Sequence, residues 1–342
     1  MTPGKLSIII PFAQEHPQTA FTVQSIYCEL RDKCDFEIIV IDNHCDELQA
    51  QLDQKGVPRD KGGDYLGQLG GGNRPWLKYL AYPHKLSHWN AKNVGVKNSD
   101  GEFLWFCDAH CVPSSGALID MFNYYKQNHR ELNGTLHMPL SYMLERAGLE
   151  LIYKLVVDPP KGVVHYSFTR YKKADAPYTV PCMSTCGMMM SREIYDLLGG
   201  WPTELGIYGG GEHFVNFTMA TLGKTINIAP TLPLYHYAAP RGYHWNYNDY
   251  HRNRCIATYM YGGESWAYRY IKNIKGHDEV KEAIYSTVAG SKACVAHRKH
   301  LVPNQIKTIG AWLDEQKLIL PEDLIVLEPA DNEPQAAPVE KD

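Results

Sequence analysis

What the sequence lacks narrows it first. No stretch of its 342 residues approaches the ~20 consecutive apolar residues of a membrane span. The opening run Leu6 to Ile10 is closed by Pro11 and is too short for the apolar core of a secretion signal. These absences predict a soluble protein of the cytoplasm, or of the host cytoplasm if the source is viral, with no membrane partner. A strong charge of one sign is also missing. The 34 Lys and Arg face 38 Asp and Glu, for a formal net charge of −4, so any basic surface has to be local. The nine cysteines are odd in number and scattered, mostly within apolar segments such as those at Cys28 and Cys107. That pattern predicts reduced, packed thiols and not a disulfide framework. Cys182 and Cys186 stand as close as metal ligands do, yet no second pair accompanies them and zinc is not expected. No internal repeat is evident. The glycine-rich insertion at 56–74, with Gly62-Gly63 and Gly70-Gly71-Gly72, lacks the Lys-Ser ending of a P-loop. It reads as a surface loop, with a lid over a ligand as its functional alternative.

What is present alternates. Leu6 to Pro11 and Phe36 to Ile41 are β-branched runs, with helical spacing of apolar residues from Gln18 to Leu30 between them. Leu77 to Tyr82 reads as a strand, His88 to Lys97 as a helix, Phe103 to Cys107 as a strand and Ala117 to Asn128 as a helix. Strand–helix alternation predicts an α/β fold built on a mostly parallel, Rossmann-like sheet flanked by helices. Ligands then gather at the carboxyl ends of strands, where Pro11, Asp42 and Asp108 fall. From Gly134 to Tyr178 the pattern is less regular, with strand-like pieces near Leu136 and from Val163 to Tyr171. Cys186 to Ser191 and Thr225 to Ala229 read as strands around a helix from His213 to Leu222. The division expected is a catalytic domain over 1–240, a helical, basic and aromatic-rich extension over 241–328, and an acidic disordered tail over 329–342.

The chemistry concentrates at Asp108-Ala109-His110, where an apolar strand ends in two potential metal ligands. Asp-x-His is common as an ordinary polar turn, and the weight comes from its company. Upstream stand Ser7-Ile8-Ile9-Ile10-Pro11-Phe12, Glu37-Ile38-Ile39-Val40-Ile41-Asp42-Asn43 and Asn90-Ala91-Lys92-Asn93-Val94-Gly95. Downstream stand Gly199-Gly200-Trp201, Gly209-Gly210-Gly211-Glu212-His213 and Ile228-Ala229-Pro230 leading to His236.

In these blocks the chain resembles the family-2 type glycosyltransferases of the GT-A fold. Its Asp108-Ala109-His110-Cys111 is similar to the metal motif of the polypeptide N-acetylgalactosaminyltransferases. The resemblance covers roughly residues 5 to 240. It implies a nucleotide-sugar donor, with UDP as the expected nucleotide, received by Pro11, Phe12, Glu15, Asp42, Lys92 and Asp108. It implies Mn²⁺ or Mg²⁺ held by Asp108, His110 and His236, with His244 competing for the third place. Oxygen-rich octahedral sites of this kind keep positions open for diphosphate and water. Glu212 and His213 are the implied catalytic pair. Inverting members of the family usually carry Asp after that glutamate, so His213 points either to a substitute base or to a retaining displacement, and retention is expected.

The acceptor is read from the residues after 240. Tyr243, Trp245, Tyr247, Tyr250, Tyr259, Tyr261, Trp266, Tyr268 and Tyr270 interleave with basic residues, as stacking and phosphate-contacting groups do in nucleic-acid binders. Trp201, Arg241, Trp245, Arg252 and Arg254 are the candidate acceptor contacts. The expected acceptor is a hydroxymethylated pyrimidine in duplex DNA, a phage-type DNA modification such as that of 5-hydroxymethylcytosine. Alternatives are a glycan or protein acceptor, and a catalytically decayed nucleotide-sugar-binding scaffold. No obligate protein partner is indicated.

Overall fold

Runs that are apolar on both sides of the pleat become strands covered on both faces. In the computed structural model, which describes residues 1–59, 74–142, 149–158, 163–237 and 243–316, β1 (Thr2–Phe12), β2 (Phe36–Asp42), β3 (Leu77–Ala81) and β4 (Gly101–Phe106) are such strands. They lie parallel in the order β4-β1-β2-β3. Ile8, Ile9, Ile10, Ile38 through Ile41 and Leu104 through Phe106 are completely buried. Helices His16–Leu30 and His88–Lys97 fall where the apolar spacing predicts them. The second is capped by Ser87, whose hydroxyl accepts from the Asn90 N–H.

After β4 come β5 (Cys111–Pro113), β6 (Gly134–His137), β7 (Leu140–Ser141), β8 (Leu151–Asp158) and β9 (Val163–Arg170). They are followed by β10 (Tyr178–Val180), β11 (Met188–Ser191), β12 (Thr225–Ile228) and β13 (Leu234–His236). The main sheet has eight strands in the order β10-β12-β6-β11-β4-β1-β2-β3. Its second half is mixed, because β11 runs antiparallel to both β4 and β6. A second, five-stranded sheet, β5-β13-β7-β8-β9, is the element that sequence patterning did not anticipate. It stands beside the carboxyl end of β4 and sets His236 opposite Cys111.

The region after 240 is helical as expected, with Tyr247–Asn273, Asp278–Ala289, Lys292–Leu301 and Ile309–Glu315. The first of these bends at Gly263 (φ 73°), where the backbone leaves helical geometry. Ile256, Met260, Trp266, Leu301 and Leu313 belong to the same hydrophobic core as the sheet. That packing corrects the stacking-platform expectation, because Tyr259, Tyr261, Trp266 and Tyr270 are buried structural aromatics. Trp245, Tyr247 and Tyr268 remain exposed. Most of the glycine-rich insertion, Arg241 and the acidic tail lie outside the described residues. Among the described residues no helix is long and apolar enough to cross a membrane.

Candidate active site

The carboxyl ends of β1 and β4, the second sheet and the helix Gly211–Thr221 enclose a cleft of about 470 Å³. Pro11, Phe12, Glu15, Lys92, Asp108, His110, Glu212, His213 and His236 all line it, although they come from segments far apart in the chain.

At its floor, His236 Nε2 lies 3.2 Å from Asp108 Oδ2 and 3.2 Å from His110 Nε2. Neighbouring ligands of an octahedral ion with ~2.1 Å bonds sit roughly 3 Å apart, so the two contacts of His236 fit a divalent cation, while the mutually close cluster of ligand atoms here joins Asp108 and His236 with Cys186 and leaves His110 at its edge. Two imidazoles and a carboxylate are also a suitable donor set for Mn²⁺. The β5–β13 pairing brings His236 here, and the Tyr237 N–H bonds to the His110 carbonyl at 2.9 Å. His244, the competitor, is exposed next to Gln51, to which its backbone N–H donates, and is not part of the cleft lining.

Glu15 takes a different role from the one expected. Its Oε1 is 2.8 Å from His110 Nδ1, so it orients the imidazole and leaves Nε2 facing the cleft. Burial works to raise the Asp108 carboxyl, but the His236 hydrogen bond and the Lys92 charge overcome it and hold the group well below the usual range. Burial likewise disfavours a charged His236, yet the Asp108 contact pushes its pKa up to about 9.

Lys92 is 1% exposed. Its ammonium lies 3.7 Å from Asp108 Oδ1, 4.9 Å over the Trp89 ring and 5.6 Å from the Trp201 ring. A cation held this way can meet an anionic group without a hydration shell to shed. Trp201, expected at the acceptor, is instead 2% exposed, stacked on Trp89 and set edge-on to Phe106. It forms the floor under Lys92, which corrects that assignment. Asp42 also departs from its expected place at the nucleotide. It is 3% exposed, and its oxygens accept from Tyr79 Oη at 2.5 Å and the His44 N–H at 2.9 Å. Asn43, the next residue, reaches the cleft wall instead.

Glu212 opens its helix after Gly209 and Gly210, both at φ 80°. A Cβ on Gly210 would lie 2.2 Å from the Asn253 carbonyl oxygen, and one on Gly211 would lie 2.3 Å from the Trp89 ring. Only glycine permits this approach. The carboxylate accepts from Tyr166 Oη, from Ser184 Oγ at 3.0 Å and from Tyr153 Oη at 3.4 Å. Burial raises its pKa, and the bonds from Tyr166 and Ser184 act against that rise. Tyr153 and Tyr166 stack on each other from β8 and β9. Sequence reasoning did not single them out.

His213 is 3% exposed, and its Nε2 is 3.1 Å from His165 Nδ1. Burial, with help from the Arg254 charge, pushes it well below the usual imidazole range. It is therefore a neutral, engaged group and a weak base. Arg254, expected at the acceptor, is 8% exposed. It donates to the Val164 carbonyl and lies over the Tyr270 ring, so it is a structural cation. Arg252 is half-buried and pairs with Asp249 across 4.0 Å. Trp245 is 44% exposed and stacks on Tyr208 of the cleft wall, where it can still meet an acceptor.

Comparison with known proteins bears on the family and the fold. The chain is 24% identical over 253 residues to N-acetylgalactosaminyltransferase 6 of Drosophila melanogaster, covering 70% of this chain and 35% of that protein. It is 27% identical over 131 residues to poly(ribitol-phosphate) beta-N-acetylglucosaminyltransferase TarP of Staphylococcus aureus strain N315, covering 37% and 35% of the two chains. It thus spans about a third of the length of these relatives. The crystal structure of GalNAc-T7 with UDP, GalNAc and Mn²⁺ superposes with a TM-score of 0.63 at 15% identity, over 91% of this chain and 56% of that one. The fold is the GT-A arrangement. Residues 7–199, which carry the β1, β2 and Asp108-x-His110 blocks, match the profile of glycosyl transferase family 2, and the chain belongs to that family.

Proposed function

We propose that the chain transfers a sugar of the N-acetylhexosamine type from a UDP-sugar to an acceptor hydroxyl. The observation that carries this reading is the placement of Asp108, His110 and His236 beside the buried Lys92 in one cleft, facing Glu212. Both curated relatives are named as N-acetylhexosaminyltransferases. Asp108, His110 and His236 would hold Mn²⁺ or Mg²⁺. When bound, the ion neutralises charge on the leaving diphosphate.

The chain's own residues do the rest. Lys92 binds a phosphate oxygen, and Glu15 keeps His110 oriented. Glu212, fixed by Tyr166 and Ser184, accepts a hydrogen bond from a hydroxyl of the donor sugar or acceptor. Among the described residues, the carboxylates lining the cleft are Glu15, Asp108 and Glu212. Each is already engaged, and His213 is a weak base. That arrangement supports transfer with retention, in which a donor phosphate oxygen takes the acceptor proton.

The acceptor reading shifts from DNA to carbohydrate. Four of the aromatics proposed to stack on bases are in the core, and Arg254 is buried. The cleft wall offers Tyr142, Tyr153, Phe168 and Tyr208, with Phe168 50% exposed at its mouth. Aromatic faces of this kind suit sugar rings.

The test is UDP release from UDP-GalNAc and UDP-GlcNAc with and without Mn²⁺. Glycan, peptide and hydroxymethylated duplex DNA serve as acceptors, and Asp108→Ala as the control. Mn²⁺-dependent release stimulated by a glycan, absent in the variant and giving a product of retained anomeric configuration by NMR, is expected. Stimulation by the modified DNA alone would restore the nucleic-acid acceptor, and no release from any donor would leave a binding scaffold.

A further inference from the structure

Behind the cleft floor lies a group of thiols that the proposed reaction does not use. Cys107 follows β4, Cys111 opens β5 and Cys186 precedes β11, yet their Sγ atoms all lie within 4.8 Å of one another. Cys111 Sγ and Cys186 Sγ are 3.3 Å apart. All three residues are buried, at 0%, 0% and 2% exposure. Backbone bonds fix the arrangement: the Cys107 N–H donates to the Ile9 carbonyl, the Gly187 N–H to the Phe106 carbonyl, and the Cys111 N–H to Thr22 Oγ1. Three sulfurs gathered from three segments are thus preorganised without any disulfide.

Ligand sulfurs around a zinc ion with ~2.3 Å bonds stand about 3.8 Å apart, so small adjustments bring this trio to metal-binding spacing. Thiolate donors select soft ions such as Cd²⁺, Zn²⁺ and Cu⁺ over Mn²⁺ and Mg²⁺. An entry path exists, because Cys186 lines the cleft. Its Sγ also lies within 4.8 Å of a ligand atom of Asp108 and of His236.

We propose that Cys107, Cys111 and Cys186 form a thiophilic metal site for a zinc- or cadmium-class ion, set directly behind the site for the hard ion. Binding forms three metal–sulfur bonds and releases the thiol protons to solvent, with no redox step. The site makes the enzyme sensitive to soft ions through a position that Mn²⁺ does not occupy.

The experiment is a Cd²⁺ titration of the full chain under saturating Mn²⁺. It is followed by thiolate-to-cadmium charge-transfer absorption, and X-ray absorption counts the sulfur neighbours. One Cd²⁺ per chain with three sulfurs is expected. The band should persist in His110→Ala and be lost in Cys111→Ser. A sulfur count of one or none in the unaltered protein overturns the proposal and leaves three packed thiols. So does a band that survives in Cys111→Ser/Cys186→Ser, because it then arises from the exposed Cys28 or the half-buried Cys34. The sulfur count needs no variant and no catalytic turnover, so its outcome is separate from that of the transferase assay.

Discussion

Glu15 and Lys92 show how far residue type alone can carry an assignment. Both were placed at the donor by resemblance, and their local sequence says nothing of their partners. Glu15 meets His110 across 95 positions of chain. Groups that orient a ligating imidazole are typically worth 10–100-fold in metal affinity. Glu15→Gln should therefore raise the Mn²⁺ concentration for half-maximal UDP release by that factor, with recovery at high Mn²⁺. An unchanged Mn²⁺ dependence would remove the orienting role. Lys92 is buried between two tryptophans. Lys92→Met should lower turnover by about 10²-fold or more, the scale of losing one preorganised charge. Its thermal midpoint should also fall, because the substitution removes one partner of the Lys92–Asp108 pair, so turnover is compared at a temperature at which the variant is still folded. Unimpaired turnover would show that the phosphate is neutralised elsewhere. The same scale explains the misplacements. Trp201 and Arg254 are amphipathic types that serve equally at a surface or in an interior, and only packing distinguishes the two.

At the scale of elements, legibility followed sequence distance. The β1 to β4 block was readable because strands covered on both faces leave continuous apolar runs. The second sheet was not, because β5 and β7 are three and two residues long and pair with β13 from far along the chain. Such pairings leave no local period to detect. The Gly209-Gly210-Gly211 entry to the Glu212 helix was visible as a motif, while its physical reason was not. Gly210 needs a positive φ and lies against the Asn253 carbonyl. Gly210→Ala meets both the conformational penalty and a backbone clash, for a loss of about 2–3 kcal/mol. A thermal midpoint lower by several degrees, together with weaker turnover as Glu212 shifts, is expected. A midpoint equal to the parent's would mean that the helix entry is free to move.

For the molecule as a whole, composition gave the class and alternation gave the fold, but neither revealed how charge is distributed inside it. The interior keeps a set of histidines neutral. Burial lowers His137 to about 4, against a weaker opposing bond from its Nδ1–H to the Ser184 carbonyl. Burial and the Arg254 charge lower His165 and His251 to about 4. His213 is lowered well below the usual imidazole range by the same two causes and by His165. The sequence showed only 15 histidines in a near-neutral chain, and the guanidinium that disfavours protonation at three of these four was assigned to a ligand. The sign of the pH effect follows. Each of these groups takes up a proton more readily in the unfolded chain, where its pKa is near 6.5, than in the folded one. Their contribution to stability is therefore complete above about pH 6.5 and is lost as pH falls towards 4. For the buried His137 the slope is up to about 1.4 kcal/mol per pH unit in that window, and for the partly exposed His165 and His251 it is smaller. Urea unfolding midpoints should drop steeply between pH 6 and 4.5, and a separate, shallower decline above pH 7 is expected from His236, whose pKa is raised to about 9. His137→Asn should flatten part of that drop, because His137 has no charged neighbour among the causes of its shift. Stability that held constant down to pH 4.5 would show that these imidazoles are protonated in the folded protein. The Arg254 cluster would then have to be reached by solvent.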